Sequence, residues 1–210
     1  MRAHLYRANR IEAPDTIFLE AGCSTGVRLR MALTHACSVS RTEEVIRCDG
    51  ATIRINYGLE PGISIQPNGA NAETIPLLEK NSYVENHRWF MDYLKGKRER
   101  PCTLLEDCRA MVLLNSLAFL SAGSVMPVEN AATAVFTRNG REGISIVGIE
   151  RAAQAFLHCG VDPDFSSERS APPRWVTEDE LPALPALVHR MAKDGRVLHR
   201  PSGLLPLSTH

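Results

Sequence analysis

The chain has 210 residues, 44% of them hydrophobic and 23% charged, with 24 acidic and 24 basic side chains. That balance suits a folded domain with enough apolar surface for a core, and a net charge of zero excludes a charge-driven grip on nucleic acid or an anionic membrane. No apolar run approaches the ~20 residues of a membrane span, and the basic N-terminus MRAHLYRANR has no apolar stretch behind it, unlike a signal peptide.

A cytoplasmic protein is therefore expected. The six cysteines include no C-x-x-C pair, so no zinc site is expected, and reduced thiols filling small core positions are the natural use.

Strand material opens the chain. Ile17, Phe18 and Leu19 form a short apolar run, and Ala21–Gly26 reads as a turn. Val27, Leu29, Met31 and Leu33 then alternate with Arg28, Arg30, Ala32 and Thr34, the period of a strand with one buried face. Continuing that alternation puts His35 with the apolar set. The stretch from Glu44 to Tyr57 predicts a hairpin turning at Asp49-Gly50 with two positive-φ positions. A second hairpin pairs Ile63–Gln66 with Glu73–Leu77 across Pro67-Asn68-Gly69, and its prolines predict edge strands.

Two helices follow within Asn81–Gly123. Ser82 with Glu85, and Thr103 with Glu106, have the spacing of capping boxes, and Gly96 and Gly123 sit where left-handed closing residues belong. Val84, His87, Met91 and Leu94 share one stripe of the first helix. In the second, Ala110–Ala122 is apolar nearly all round, which predicts burial on every side and hydrogen-bond partners for the amide of Asn115. A hairpin about Asn139-Gly140 and a helix from Ile149 to Cys159, closed by Gly160, come next. Beyond Val161 prolines recur, only Leu184–Met191 has helical character, and Trp175 is the expected docking point.

The expected fold is α+β: a mostly antiparallel open sheet over residues 1–160 with two long helices on one face, then a Pro-rich tail over 161–210. There is no G-x-G-x-x-G, no G-K-[ST], no G-x-S-x-G and no H-E-x-x-H, hence no recognisable phosphate cradle, nucleophile elbow or metalloprotease helix. The remaining candidates are polar residues at strand and helix ends. His35 is either a ligand contact or a histidine hydrogen-bonded at a strand end. Tyr83 either presents its hydroxyl to a site or packs at a helix start. Arg28 and Arg30, on one strand face, suit an anion, a carboxylate or a partner subunit.

Three passages carry a family resemblance: PDTIFLEAGCSTGVRLRMALTHA, EEVIRCDGATIRIN, and SYVENHRWFMDYLKGKRERPCTLLEDCRAMVLLNSLAFLSAG. In this order they resemble the C-terminal domain of the Gfo/Idh/MocA oxidoreductases, the family of glucose–fructose oxidoreductase and inositol dehydrogenase. The resemblance implies NAD(P)-dependent chemistry on a sugar or polyol derivative, with this part walling the substrate pocket and building an oligomer interface on the open sheet face. It also implies a Rossmann domain, an E-K-P lysine and an aspartate–histidine pair. Here Glu79-Lys80 is followed by Asn81, and no histidine has an aspartate four residues before it. The expectation is thus a portion that binds no cofactor alone and carries no catalytic residue, completed by a Rossmann domain or a separate chain. The alternative is a stand-alone binding or self-association module. On the resemblance, His35, Thr34 and Tyr83 would line a small-molecule substrate pocket.

Overall fold

The computed structural model describes residues 1–57, 61–77, 81–165 and 172–193. The fold is α+β, and the chain divides into two compact units: Met1–Ser38 with Arg109–His210, and Val39–Cys108.

The first unit is built on a sheet of β1 (Arg2–Arg7), β2 (Thr16–Gly22), β3 (Arg28–Thr34) and the two-residue β8 (Met126–Pro127). Its order is β3-β2-β1-β8, antiparallel except for the β1–β8 pair. Alternation along the strands divides the two faces, although Val27 and Leu33, expected on the buried face of β3, are exposed. Ala3, Leu5, Leu19 and Ala21 point to one core, where they meet Leu117, Ala118 and Leu120 of helix α2 (Leu105–Ala122) and Leu187 and Met191 of helix α4 (Leu184–Lys193). Tyr6 and Phe18 point the other way, onto Ile149 and Phe156 of helix α3 (Ile149–Cys159). There Phe18 meets Phe156, and Tyr6 meets Phe165, both edge to face at 5.4 Å between ring centroids, the arrangement aromatic quadrupoles favour.

This unit also holds the hairpin of β9 (Thr133–Arg138) and β10 (Arg141–Ile146), turning at Asn139-Gly140 with φ of 50° and 73°. Its base is tied to the main sheet by Ile146 N–H donating to the Ala36 carbonyl at 3.0 Å. The C-terminal segment is integral to the core: Val176 is buried and exchanges backbone hydrogen bonds with Met1 in both directions. Trp175, the expected docking residue, is exposed and lies beneath the Arg2 guanidinium at 5.7 Å. The smaller valine takes the anchoring place because the strand-like pairing with Met1 turns its neighbour outward.

The second unit contains a four-stranded antiparallel sheet, β4 (Glu43–Arg47), β5 (Ala51–Asn56), β6 (Gly62–Pro67) and β7 (Glu73–Pro76), in sequential order. The first turn falls at Asp49-Gly50 as expected, but neither residue has a left-handed φ. Asn68 instead holds both turn carbonyls, through its N–H to Gly50 and its side-chain amide to Asp49. β6 is an interior strand, because its proline stands at the strand end, where the missing N–H costs nothing.

Helix α1 (Ser82–Leu94) is capped by Asn81, whose side-chain oxygen accepts from the N–H groups of Tyr83 and Val84. Glu85 does not complete a capping box; its carboxylate pairs with Arg88 at 2.5 Å. At the start of α2 the Asp107 carboxylate takes the Leu104 N–H, in place of the Thr103–Glu106 box. Gly96 and Gly123 adopt the expected left-handed conformation, with φ of 70° and 68°.

Burial of α2 is graded rather than uniform. Leu117–Ser121 carries its buried positions, while Leu105, Met111, Val112 and Asn115 are exposed, so the Asn115 amide needs no internal partner. None of the six cysteines is buried, contrary to their expected use as core fillers. Among the described residues no helix is long and apolar enough to cross a membrane.

Candidate functional site

Three places in the structure carry unusual chemistry. The first is the end of β3. The buried Asp15 carboxylate accepts the backbone N–H groups of Ala8 and Asn9, the Asn9 side-chain amide and the Thr16 hydroxyl, at 2.7–3.1 Å. Thr16 and Thr34 hydroxyls are 2.8 Å apart, and Thr34 Oγ1 accepts the Ala36 N–H at 3.0 Å. Because Thr16 spends its proton on Asp15, Thr34 must donate to Thr16. The hydroxyl of Thr34 therefore has no donor left and one lone pair to offer a ligand. Its place is structural: it fixes the strand end from which His35 projects.

His35 is exposed, with its N–H on the Asp15 carbonyl at 2.8 Å. Its side chain and Cys37 form one wall of an open cleft of about 490 Å³, whose other wall is the β9–β10 hairpin, through Phe136, Arg138, Arg141 and Gly143. Those four residues share a hairpin face, since Phe136 pairs with Gly143 and Arg138 with Arg141. The Phe136 ring lies so close over Gly143 that an added Cβ would come within 2.6 Å of its tip. Arg138 donates to the Ser38 carbonyl and thereby bridges the two walls.

Tyr83, the third residue expected at the site, belongs to the second unit. There it is 78% exposed on α1, with its carbonyl 2.7 Å from His87 Nδ1. Thr34 and His35 are thus neighbours at one strand end, and Tyr83 is described apart from them. His87, expected on a buried stripe, is also exposed.

The second place is a charge cluster on the α3 side of the main sheet. Register puts Arg2, Glu20 and Arg30 in one cross-strand row. The Glu20 carboxylate, 7% exposed, receives Arg30 Nε at 3.0 Å and Arg2 Nε at 3.1 Å, with Arg28 at 3.9 Å. Burial alone would raise its pKa, but the hydrogen bonds and charges of Arg30 and Arg2 outweigh burial and hold it below the ordinary value. Asp162 extends the row, 2.8 Å from Arg2 and 3.4 Å from His4 Nε2. Burial lowers the His4 pKa, and Asp162 offsets this in part. The carboxylate partner suggested by Arg28 and Arg30 is therefore Glu20, within the chain.

The third place is the sheet of the second unit. Registers align Ile46, Ile53 and Ile65 in one row and Ile55, Ile63 and Ile75 in the next, all on one face. Thr52, Arg54, Asn56, Ser64, Gln66 and Thr74 lie on the other. Six isoleucines on one sheet face normally make a core, yet no described residue between 39 and 108 is buried. On α1, Val84, Phe90, Met91 and Leu94 are likewise about half exposed.

Sequence reasoning reached His35 but missed Cys37, Phe136, Arg138 and Arg141, and treated 134–147 only as a hairpin. A signal was present in FTRNGREG: two arginines flank a two-residue turn, which sets like charges directly opposite each other. No protein-family model, curated protein or solved structure matches the chain.

Proposed function

We propose that this chain is the substrate-binding and oligomerisation portion of an NAD(P)-dependent oxidoreductase of the kind it resembles, acting on a sugar or polyol derivative in the cytoplasm. Hydride transfer requires a cofactor positioned against the substrate, and on this reading the dinucleotide site is supplied by a Rossmann domain or another chain. The observation that carries the proposal is the isoleucine face of the second unit, none of whose members is fully buried among the described residues. A face of this kind is what an oligomer interface leaves behind when one protomer is viewed alone.

The magnitude is adequate. Ile46 and Ile75 are about half exposed and the other four isoleucines less so, so completing their burial contributes about 1 kcal/mol for each of the first two and about 0.5 kcal/mol for each of the rest. Two such faces then supply about 8 kcal/mol, within the roughly 4–15 kcal/mol that association costs. Self-association in a concentration-dependent range follows.

Light scattering coupled to size exclusion tests this. The chain should run as a dimer or larger species that dissociates on dilution, and Ile53→Asp with Ile63→Asp should yield a monomer at every concentration. A monomeric wild-type chain with a cooperative melt of both units would refute the interface. Saturable NADH binding by the isolated chain, followed by cofactor fluorescence, would refute the separate cofactor site.

A second reading, a stand-alone self-association module, draws support from the first unit. Both faces of its sheet are closed by the chain's own helices and C-terminal segment, so that unit requires no companion domain. Gain of NADH oxidation with a polyol-derived ketone, when a dinucleotide-binding chain from the same source is added, would favour the first reading over this one.

A further inference from the structure

We propose that the cleft between the end of β3 and the β9–β10 hairpin binds a small organic anion, with a carboxylate or phosphate group held between Arg138 and Arg141 and its body against Phe136 and His35. This stands whether or not the oxidoreductase reading does, because its observations are local to the first unit.

Arg138 and Arg141 are directly opposed in the hairpin register, on the same face. Opposed like charges disfavour a hairpin, and among the described residues neither guanidinium has a carboxylate at ion-pair distance. Arg138 spends one N–H on the Ser38 carbonyl and stacks loosely over Phe136, 5.9 Å from the ring centre. Arg138 and Arg141 are both exposed. An oxyanion bridging the two would relieve the repulsion and use the planar donor geometry for which guanidinium is suited.

The surroundings distinguish the place from two solvated surface arginines. The cleft is concave and about 490 Å³, the size of a small-metabolite site. One wall is an aromatic ring packed onto a glycine, and the other is fixed by Ile146 N–H on Ala36 and by Arg138 on Ser38. Glu142 is the one carboxylate at the rim, and it lies on the opposite hairpin face, paired with Thr137. Two guanidiniums against one carboxylate leave the lining cationic, so a neutral sugar gains less there than its acid or its phosphate ester.

Calorimetric titration of the full 210-residue chain at low salt tests the proposal, with gluconate, glucose 6-phosphate and glucose as probes. At least one anion should bind saturably, and glucose should bind about tenfold more weakly or not at all, the loss of one charge-assisted contact. Arg141→Ala should weaken the anion by about tenfold and Arg141→Lys by less. Arg190→Ala removes the same charge from an exposed position of α4, on the other side of the main sheet, and should leave affinity unchanged. Gly143→Ala, which forces the Phe136 ring to move, should also weaken binding while both units still melt as in the wild type. The proposal is overturned if neither anion binds up to about 10 mM, the affinity of a lone weak contact. It is overturned equally if glucose binds as well as the anions, or if Arg190→Ala costs as much as Arg141→Ala.

Discussion

Removing the Glu20 carboxylate is the most direct test of what holds the first unit together. Glu20 lies between Arg2 and Arg30 in one row of the sheet, and the three side chains are 7%, 21% and 19% exposed. Glu20→Ala would leave two largely buried guanidiniums facing each other, with only the half-exposed Asp162 beside Arg2. Deleting one partner of a buried ion pair costs about 3–5 kcal/mol. Some water reaches both arginines and Asp162 remains, so the low end, about 3 kcal/mol, applies here. At about 2–4 °C per kcal/mol for a chain of this size, the melting midpoint should fall by about 6–12 °C. Glu20→Gln, which keeps the shape and loses the charge, should fall by less.

The pH dependence follows from the same geometry. The folded carboxyl titrates below its ordinary value of 4.5. The unfolded chain therefore binds the proton first as acid is added, and the stabilisation is complete above that value and lost as pH falls through the lower folded one. Wild type should show this acid limb and Glu20→Gln should lack its share of it. Replacing Glu20 by Leu and Arg30 by Met together should recover more than half the loss, since apolar replacements of a buried pair are often neutral. Differential scanning calorimetry from neutral to acidic pH measures all of this. A Glu20→Ala midpoint within about 1 °C of wild type, below the shift expected for 1 kcal/mol, would refute the reasoning and mean that the row is solvated.

Three further substitutions probe the joints around β1, α2 and α3. Ser121 Oγ takes the Ala3 N–H at 2.8 Å and donates to the Arg174 carbonyl at 2.7 Å, so it supplies the edge bond that the short β8 does not reach. Ser121→Ala should cost about 1–3 kcal/mol, the penalty for an unpaired buried amide, seen as a lower urea midpoint with an unchanged slope. Gly160 and Gly123 both close helices at positive φ, but an added Cβ meets nothing at 123 and lies 2.7 Å from an Arg30 nitrogen at 160. Both alanine variants should lose about 1 kcal/mol of backbone conformational preference. Gly160→Ala should lose more, because it also displaces Arg30 from Glu20; equal thermal shifts would contradict that link.

What was legible in the sequence was local. Alternation over Val27–Leu33 found β3, Asn-Gly found the β9–β10 turn, and Ile149 to Gly160 was read at both ends, because each signal acts over a few residues. The α+β class followed from the order of these elements. The failures were questions of what meets what. The Ser82–Glu85 spacing suggested a cap, yet Asn81, one residue earlier, holds that place, and spacing alone does not distinguish the two. The apolar stretch of α2 looks the same from Ala110 to Ala122, yet only its C-terminal half has a sheet to lie on. At the candidate site, Thr34 and His35 were visible as a strand end. Arg138 and Arg141 reach the same cleft from about a hundred residues away, a closure that no local pattern encodes.

The two units also differ in where their stability originates. In the first, β1 is covered on both faces by segments distant in sequence: Leu117, Ala118 and Val176 on one side, Asp162, Pro163 and Phe165 on the other. The C-terminal segment is thus a structural layer of that unit, and its removal would open two cores at once. In the second, strand pairing is complete, but no described side chain is buried. A sheet gains most of its stability from the side chains packed on its faces, because its backbone hydrogen bonds largely replace bonds to water. If the proposed self-association covers the partly buried isoleucine face, unfolding of the second unit responds to protomer concentration by mass action, while that of the first unit, whose cores are closed within one chain, does not.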